Sequence, residues 1–288
     1  MKTLVTGGCG FVGSNLTDKL IDLNHEVVVL DNLSTGKISN LNKNVSFISG
    51  DIRNKDLINK LKFDKFDIIY HIAALPRIKP SFSNPREVID VNTTGTVNML
   101  ELAKISEARF VYAGSSSAYF DVFANPYSYS KWIGEQHCEM YNKIFGVSVG
   151  IARFFNVYGN RHVAEGDNAC LLGIFETQTK NKQPLTVTGD GSKRRDFTHV
   201  MDICDGLVAM SEKKWNAEIF DLGRQNNYSI IEVANMFKPS KIEFIEARKG
   251  EAEITLANIE KSKQMLGFNP SRNLPDYINN FLNNLEAS

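Results

Sequence analysis

Thr3-Leu4-Val5-Thr6-Gly7-Gly8-Cys9-Gly10-Phe11-Val12-Gly13-Ser14 runs a short apolar strand into glycines spaced three apart and then into a helix. The helix is predicted over 11–23, where Phe11, Val12, Leu16, Leu20 and Leu23 recur at helical spacing. Gly7, Gly10 and Gly13 permit a tight turn and let the backbone approach a pyrophosphate. The helix that follows offers unpaired N–H groups and the positive end of its dipole. A second strand, predicted over 26–30, ends at Asp31. An acidic side chain there accepts hydrogen bonds from the ribose hydroxyls of NAD and repels the extra phosphate of NADP. A dinucleotide site for NAD is the expectation.

Outward from this unit, strands are predicted at 45–48, 67–71, 110–113 and 147–153, with helices at 56–61, 87–104 and 129–145. Apolar strands alternating with amphipathic helices imply an α/β fold, a doubly wound Rossmann parallel sheet covered on both faces. Past residue 156 the alternation stops. Helices at 170–180, 203–213, 230–237, 259–266 and 274–285 and a strand at 185–188 imply a smaller C-terminal substrate-binding lobe. The expected division is 1–155 for the NAD-binding part and 156–288 for the lobe, with some segments of the latter returning to the sheet.

Composition narrows the function. The 288 residues hold 33 Lys+Arg and 33 Asp+Glu, so the net charge is zero and no basic excess favours nucleic acid. No apolar run approaches the ~20 residues of a membrane span, and no secretory leader is evident. Cys9, Cys138, Cys170 and Cys204 are scattered, as suits free thiols in a reducing cytoplasm. His25, His71, His137, His162 and His199 form no ligand pair, so no metal site is expected.

The glycine stretch resembles the cofactor loop of the extended short-chain dehydrogenase/reductase family, and within it the NAD-dependent nucleotide-sugar epimerases and dehydratases. Leu30-Asp31-Asn32-Leu33-Ser34-Thr35-Gly36 is similar to the ribose-binding segment of the UDP-glucose 4-epimerase group. Gly50-Asp51-Ile52-Arg53 resembles the segment whose Asp and Ile contact adenine. His71-Ile72-Ala73-Ala74 resembles the loop beside the nicotinamide ribose, and Asp90-Val91-Asn92-Thr93-Thr94-Gly95-Thr96 the Asn-x-x-Gly-Thr helix. The resemblance implies cofactor contacts at Gly7, Gly10, Phe11, Val12, Gly13, Asp31, Asn32, Asp51, Ile52, Ala73, Ala74, Asn92, Tyr127 and Lys131.

Tyr127 and Lys131 stand four apart at the start of a predicted helix and share a face. A neighbouring ammonium favours the phenolate, and a lowered Tyr pKa makes a general base. The resemblance makes this pair catalytic and puts Ser115, from Gly114-Ser115-Ser116-Ser117, at the family's catalytic Ser/Thr position. It also implies substrate contacts at Ser116, Asn156, Arg195 and Arg248, the last three on the diphosphate; guanidinium groups grip phosphate oxygens in a fork. Thr255 falls at the position that gates sugar size, where a small residue would admit an N-acetyl group. Ser116 and Ser117 replace the carboxylates that dehydratases and decarboxylases carry there. Residues 120–126 form a loop shorter than the family's, beside the expected sugar pocket.

These features imply NAD-dependent epimerisation of a nucleotide sugar, a UDP-sugar, at carbon 4. The alternatives are another NAD-dependent nucleotide-sugar reaction (dehydration, decarboxylation or reduction) or a non-catalytic dinucleotide-binding protein. The resemblance also implies a homodimer.

Overall fold

The computed structural model describes residues 1–287; Ser288, the last residue of the expected lobe, lies outside them. The chain opens with β1 (Lys2–Thr6), α1 (Phe11–Asp22), β2 (Glu26–Asp31), β3 (Ser46–Ser49), α2 (Lys55–Leu61) and β4 (Ile68–His71). It continues through α3 (Ile78–Ser83), α4 (Pro85–Ile89), α5 (Gly95–Ser106), β5 (Arg109–Ser115), α6 (Pro126–Phe145) and β6 (Val149–Phe154). Then come β7 (Val157–Tyr158), α7 (Leu171–Lys180), β8 (Leu185–Thr188), β9 (Arg194–Asp196), β10 (Thr198–His199), α8 (Val200–Ser211) and β11 (Asn216–Leu222). The C-terminal part adds β12 (Asn227–Ser229), α9 (Ile230–Met236), β13 (Ile242–Ile245), α10 (Glu260–Leu266) and α11 (Leu274–Glu286).

Seven strands form one sheet in the order β11-β6-β5-β4-β1-β2-β3, and every pairing in it is parallel. The chain moves outward from β1 to β3, then crosses to β4 on the other side of β1. This reversal is the switch point at whose carboxyl edge ligands bind in such sheets. Alternate side chains go to opposite faces. Val5 and Val29 join a core with Leu16 and Leu20 of α1 and Ile203 and Leu207 of α8. Leu4, Val28 and Leu30 join the other, with Ile58 of α2, Met99 of α5 and Cys138 of α6.

A third core belongs to the lobe: Phe175 of α7, Val187 of β8, Val233 and Phe237 around α9, and Ile278 of α11. The division of the chain is not a clean cut. α8 packs on the Rossmann sheet, and β11 pairs with β6. No strand was expected at 216–222, because only its last three residues are buried and the apolar signal is short.

The helix expected at 203–213 runs Val200–Ser211, α3 was not expected, and two further helices differ for a physical reason. The helix predicted at 129–145 begins at Pro126, where proline fits the first helical position and Asn125 caps it by accepting from the Ser128 N–H at 2.8 Å. The helix predicted at 87–104 is interrupted by a π-helical turn at Asp90–Thr94. The period-3.6 pattern does not betray that extra residue in the turn, a feature frequent near functional sites.

Candidate active site

A cleft of about 1110 Å³ opens along the carboxyl edge of the sheet, between the sheet and the C-terminal lobe. At its β1 end the glycine loop is folded on itself. Gly10 N–H donates to the Gly7 carbonyl at 3.0 Å. A Cβ on Gly13 would lie 2.1 Å from the Gly7 carbonyl oxygen, so only glycine lets the helix start this close to the turn. No side chain caps α1, and its first turn has no acidic residue. The N–H groups of Phe11 and Val12 therefore meet the cleft without a side-chain partner, which suits an anion.

Asp31 is buried, and its carboxylate oxygens accept from the N–H groups of Cys9 (2.9 Å) and Leu33 (2.8 Å). It locks the glycine loop to the end of β2 while both oxygens keep a further lone pair. Asp51 accepts from Asn32 Nδ2 at 3.0 Å and pairs with Arg53 at 2.7 Å. The Arg53 hydrogen bond holds the Asp51 carboxyl down to about 2. Ile52, Ala73 and Ala74 complete this wall. Behind it, His71 bridges Thr6 (2.8 Å) and Thr96 (3.0 Å). Burial lowers its pKa to about 3, so the imidazole is neutral.

Asn92 stands apart from the other expected cofactor residues. It is fully buried and off the cleft wall. Its side chain clasps the Leu75 backbone (2.8 and 3.2 Å) and donates to Ser130 Oγ at 2.9 Å, so it braces the loop after β4 against α6.

In the middle of the cleft the Tyr127 hydroxyl donates to Ser115 Oγ at 3.2 Å, and the Ser117 hydroxyl donates to the same oxygen at 2.9 Å. Ser116 lines the cleft beside them. Lys131 is buried, with Nζ 4.3 Å above the Tyr112 ring and no carboxylate in ion-pair contact among the described residues. Burial lowers its pKa to about 8. The Tyr127 pKa is raised, not lowered as the sequence suggests: burial pushes it up, and the Ser115 hydrogen bond and the charge of Arg77 oppose that. Lys131 Nζ lies over the Tyr112 ring, and among the described residues no hydrogen bond joins it to the Tyr127 hydroxyl. Under α6, Glu135 and Arg153 form a buried ion pair at 2.6 Å that ties the helix to β6.

At the far end, Asn156 adopts a positive φ of 26° and donates to the Asp196 carbonyl (3.2 Å) and Thr255 Oγ1 (3.1 Å). Thr255 is itself buried, and its hydroxyl oxygen also accepts from the Asp196 N–H. Arg195 is buried and pairs with Glu251 at 3.2 Å, while the half-exposed Arg248 lies 3.7 Å from the same carboxylate. All four residues line the cleft.

Two contributors escape the sequence reading. Arg77, just past the β4 loop, lines the cleft and donates from Nε to the Asn168 carbonyl at 2.8 Å. It has no acidic partner among the described residues. The start of α7 also faces the cleft, with no side-chain cap and no acidic residue in its first turn. The signal available was position: a charged residue just past a parallel strand, and a helix start after a polar turn.

Residues 3–223 match the NAD dependent epimerase/dehydratase family. A putative UDP-glucose 4-epimerase of Methanocaldococcus jannaschii is 34% identical, covering 97% of each chain. UDP-glucuronic acid decarboxylase 1 of Danio rerio is 33% identical over 96% of this chain and 71% of its own. The solved UDP-glucuronic acid 4-epimerase of Bacillus cereus, in complex with UDP-glucuronic acid and NAD, superposes with a TM-score of 0.88 at 30% identity, covering 100% of this chain and 99% of that one. The matched family is NAD-dependent and the Bacillus cereus structure holds NAD, and the tight glycine loop and open start of α1 are a fit for its pyrophosphate. The chain belongs to the NAD-dependent epimerase/dehydratase family of nucleotide-sugar enzymes.

Proposed function

We propose that this protein epimerises a UDP-sugar at carbon 4. The observation that carries the reading is the Tyr127–Ser115 pair, which has no carboxylate among its hydrogen-bond partners. Elimination of water needs an acid and a base beyond the tyrosine, and Ser116 and Ser117 provide neither. Removing and returning one proton at a sugar hydroxyl needs only the tyrosine.

Gly7, Gly10, Phe11, Val12, Gly13, Asp31, Asn32, Asp51, Ile52, Ala73 and Ala74 would hold the cofactor, with Lys131 on its ribose. Bound NAD+ supplies a hydride acceptor and, in turn, a hydride donor at carbon 4. Tyr127 takes the proton of the 4-hydroxyl as a phenolate, a form that the charge of Arg77 and the positive ring of bound NAD+ would favour against burial, while Ser115 orients that oxygen. With Tyr127 ionised, Ser115 Oγ still accepts from the Ser117 hydroxyl, and its own proton turns to the substrate oxygen. Asn156, Arg195 and Arg248, with the start of α7, grip the diphosphate while the 4-keto sugar presents its other face. Tyr127 then returns the proton.

A second reading keeps the reaction and changes the sugar. Arg77 is a cleft cation near Tyr127 without an acidic partner among the described residues, which favours a uronic acid. We also infer a homodimer through α4, α5 and α6. Their side and the adjoining loop expose Phe123, Met140, Ile144, Phe145 and Ile105, a patch that a second copy would cover. Scattering mass at twice that of the chain is the expected result.

The test is an NMR assay of purified protein, without added NAD, on UDP-glucose, UDP-N-acetylglucosamine and UDP-glucuronic acid. A galacto-configured product from one of them is expected. Carbon dioxide release from the uronic acid would assign decarboxylation instead, and no new sugar signal even with NAD supplied would reject the reading.

A further inference from the structure

The residues 248–251 that carry Arg248 and Glu251 sit in the lobe, yet they are fastened to the helix that carries Tyr127. Asn125 is buried, and its two side-chain ends do different work. Its Oδ1 accepts from the Ser128 N–H at 2.8 Å and so caps α6. Its Nδ2 donates to the Gly250 carbonyl at 3.0 Å. Among the described residues, no other hydrogen bond or ion pair joins residues 246–252 to residues 1–155.

The approach is close in the backbone as well. Gly250 has φ +72°, and a Cβ there would lie 3.0 Å from the Ala124 carbonyl oxygen. Glycine suits both the left-handed conformation and the close approach. On the helix side, Pro126 fixes the backbone between Asn125 and Tyr127. On the lobe side, Glu251 follows Gly250 and binds Arg195 at 3.2 Å and Arg248 at 3.7 Å. A single amide therefore stands between the pair of arginines and the tyrosine.

We propose that Asn125 is a positioning residue that sets the substrate-anchoring turn at 248–251 relative to Tyr127. The proposal rests on the nucleotide-sugar reading for its kinetic consequence but not for its structural one. The two functions of the amide are separable. Aspartate and serine are good helix caps; ionised aspartate has no proton to donate, and serine, whose hydroxyl sits one atom closer to the backbone, loses the amide's reach to the Gly250 carbonyl. Asn125→Asp and Asn125→Ser keep the cap and remove the tether; Asn125→Ala removes both.

The experiment compares the parent with these variants by hydrogen–deuterium exchange, melting and steady-state kinetics. Both cap-retaining variants are expected to keep the bound NAD and to melt only slightly lower, by the one lost hydrogen bond. Their amides at 246–251 exchange faster, and KM for the nucleotide sugar rises ~5–10-fold, the effect of one lost hydrogen bond, with kcat within about threefold. Asn125→Ala shows the same changes and melts lower still. Unchanged exchange at 246–251 together with unchanged KM in both cap-retaining variants would reduce Asn125 to a helix cap and overturn the proposal. If the parent turns over no nucleotide sugar, the proposed reaction falls, and the exchange rates alone decide the tether.

Discussion

The two ends of the cleft are built on different principles. At the cofactor end, polar side chains are held by backbone or by a fixed partner: Asp31 accepts from the N–H groups of Cys9 and Leu33, and Asp51 is locked to Arg53. At the nucleotide-sugar end the groups hold one another. Arg195 and Arg248 share the Glu251 carboxylate, and Asn156 spends its amide on Asp196 and Thr255. The first end is set before any ligand arrives. The second sets two arginines against one carboxylate, and a diphosphate bound there as proposed would share them with Glu251. Changes at the first end should disturb cofactor retention and stability. Changes at the second should disturb substrate affinity while leaving the fold intact.

The largest effect is expected between the two ends. Tyr127→Phe should lower kcat by about 10³-fold, within the range of general acid–base catalysis, with bound NAD unchanged in the absorbance spectrum. Loss of NAD along with activity would place the tyrosine in binding rather than chemistry. At the substrate end, Arg195→Ala should weaken uridine diphosphate binding by about 30–100-fold by calorimetry, the scale of a charge-assisted hydrogen bond to phosphate. Its NAD content should equal the parent's.

At the cofactor end, Asp31→Ala should lower NAD affinity about tenfold and cost about 2 kcal/mol of stability, since it leaves the buried Cys9 N–H unpaired. Equal stability in denaturant titrations would separate Asp31 from the loop. The smallest effect belongs to Asp51, whose folded pKa is depressed to about 2 from 3.8. A depressed carboxyl stabilises the fold above its unfolded pKa and loses that contribution as pH falls toward the folded value. After allowance for solvent screening, Asp51→Asn should cost about 1 kcal/mol at pH 7 and almost nothing near pH 2.

The same contrast governs what could be read from the residues in order. The Rossmann half was legible because its chemistry is local: a glycine turn, a helix start and an acid at a strand end need only neighbours in sequence. Segment 216–222 was not legible as a strand, because its place at the sheet edge is set by β6. Arg77 gains its meaning from Asn168, 91 residues away, and Asn125 from Gly250, 125 residues away. The Tyr127–Lys131 spacing puts both residues on one helix face, and both line the cleft, but it carries no sign of how deeply the phenol is buried. Burial pushes the phenol's pKa up, against the Ser115 hydrogen bond and the charge of Arg77, and the ammonium lies over Tyr112. Arg195 and Arg248 were visible as arginines, whereas their shared hold on Glu251 appears only in the folded lobe.

The central claim is that carbon 4 of a UDP-sugar is oxidised and reduced within one bound turnover. It is tested by supplying the substrate with deuterium on carbon 4 and following the product by NMR and mass spectrometry. The account predicts that deuterium stays on carbon 4 of the inverted sugar and that none enters from D2O when unlabelled substrate is used. Loss of the label to solvent, or a product lacking water or carbon dioxide, would contradict it.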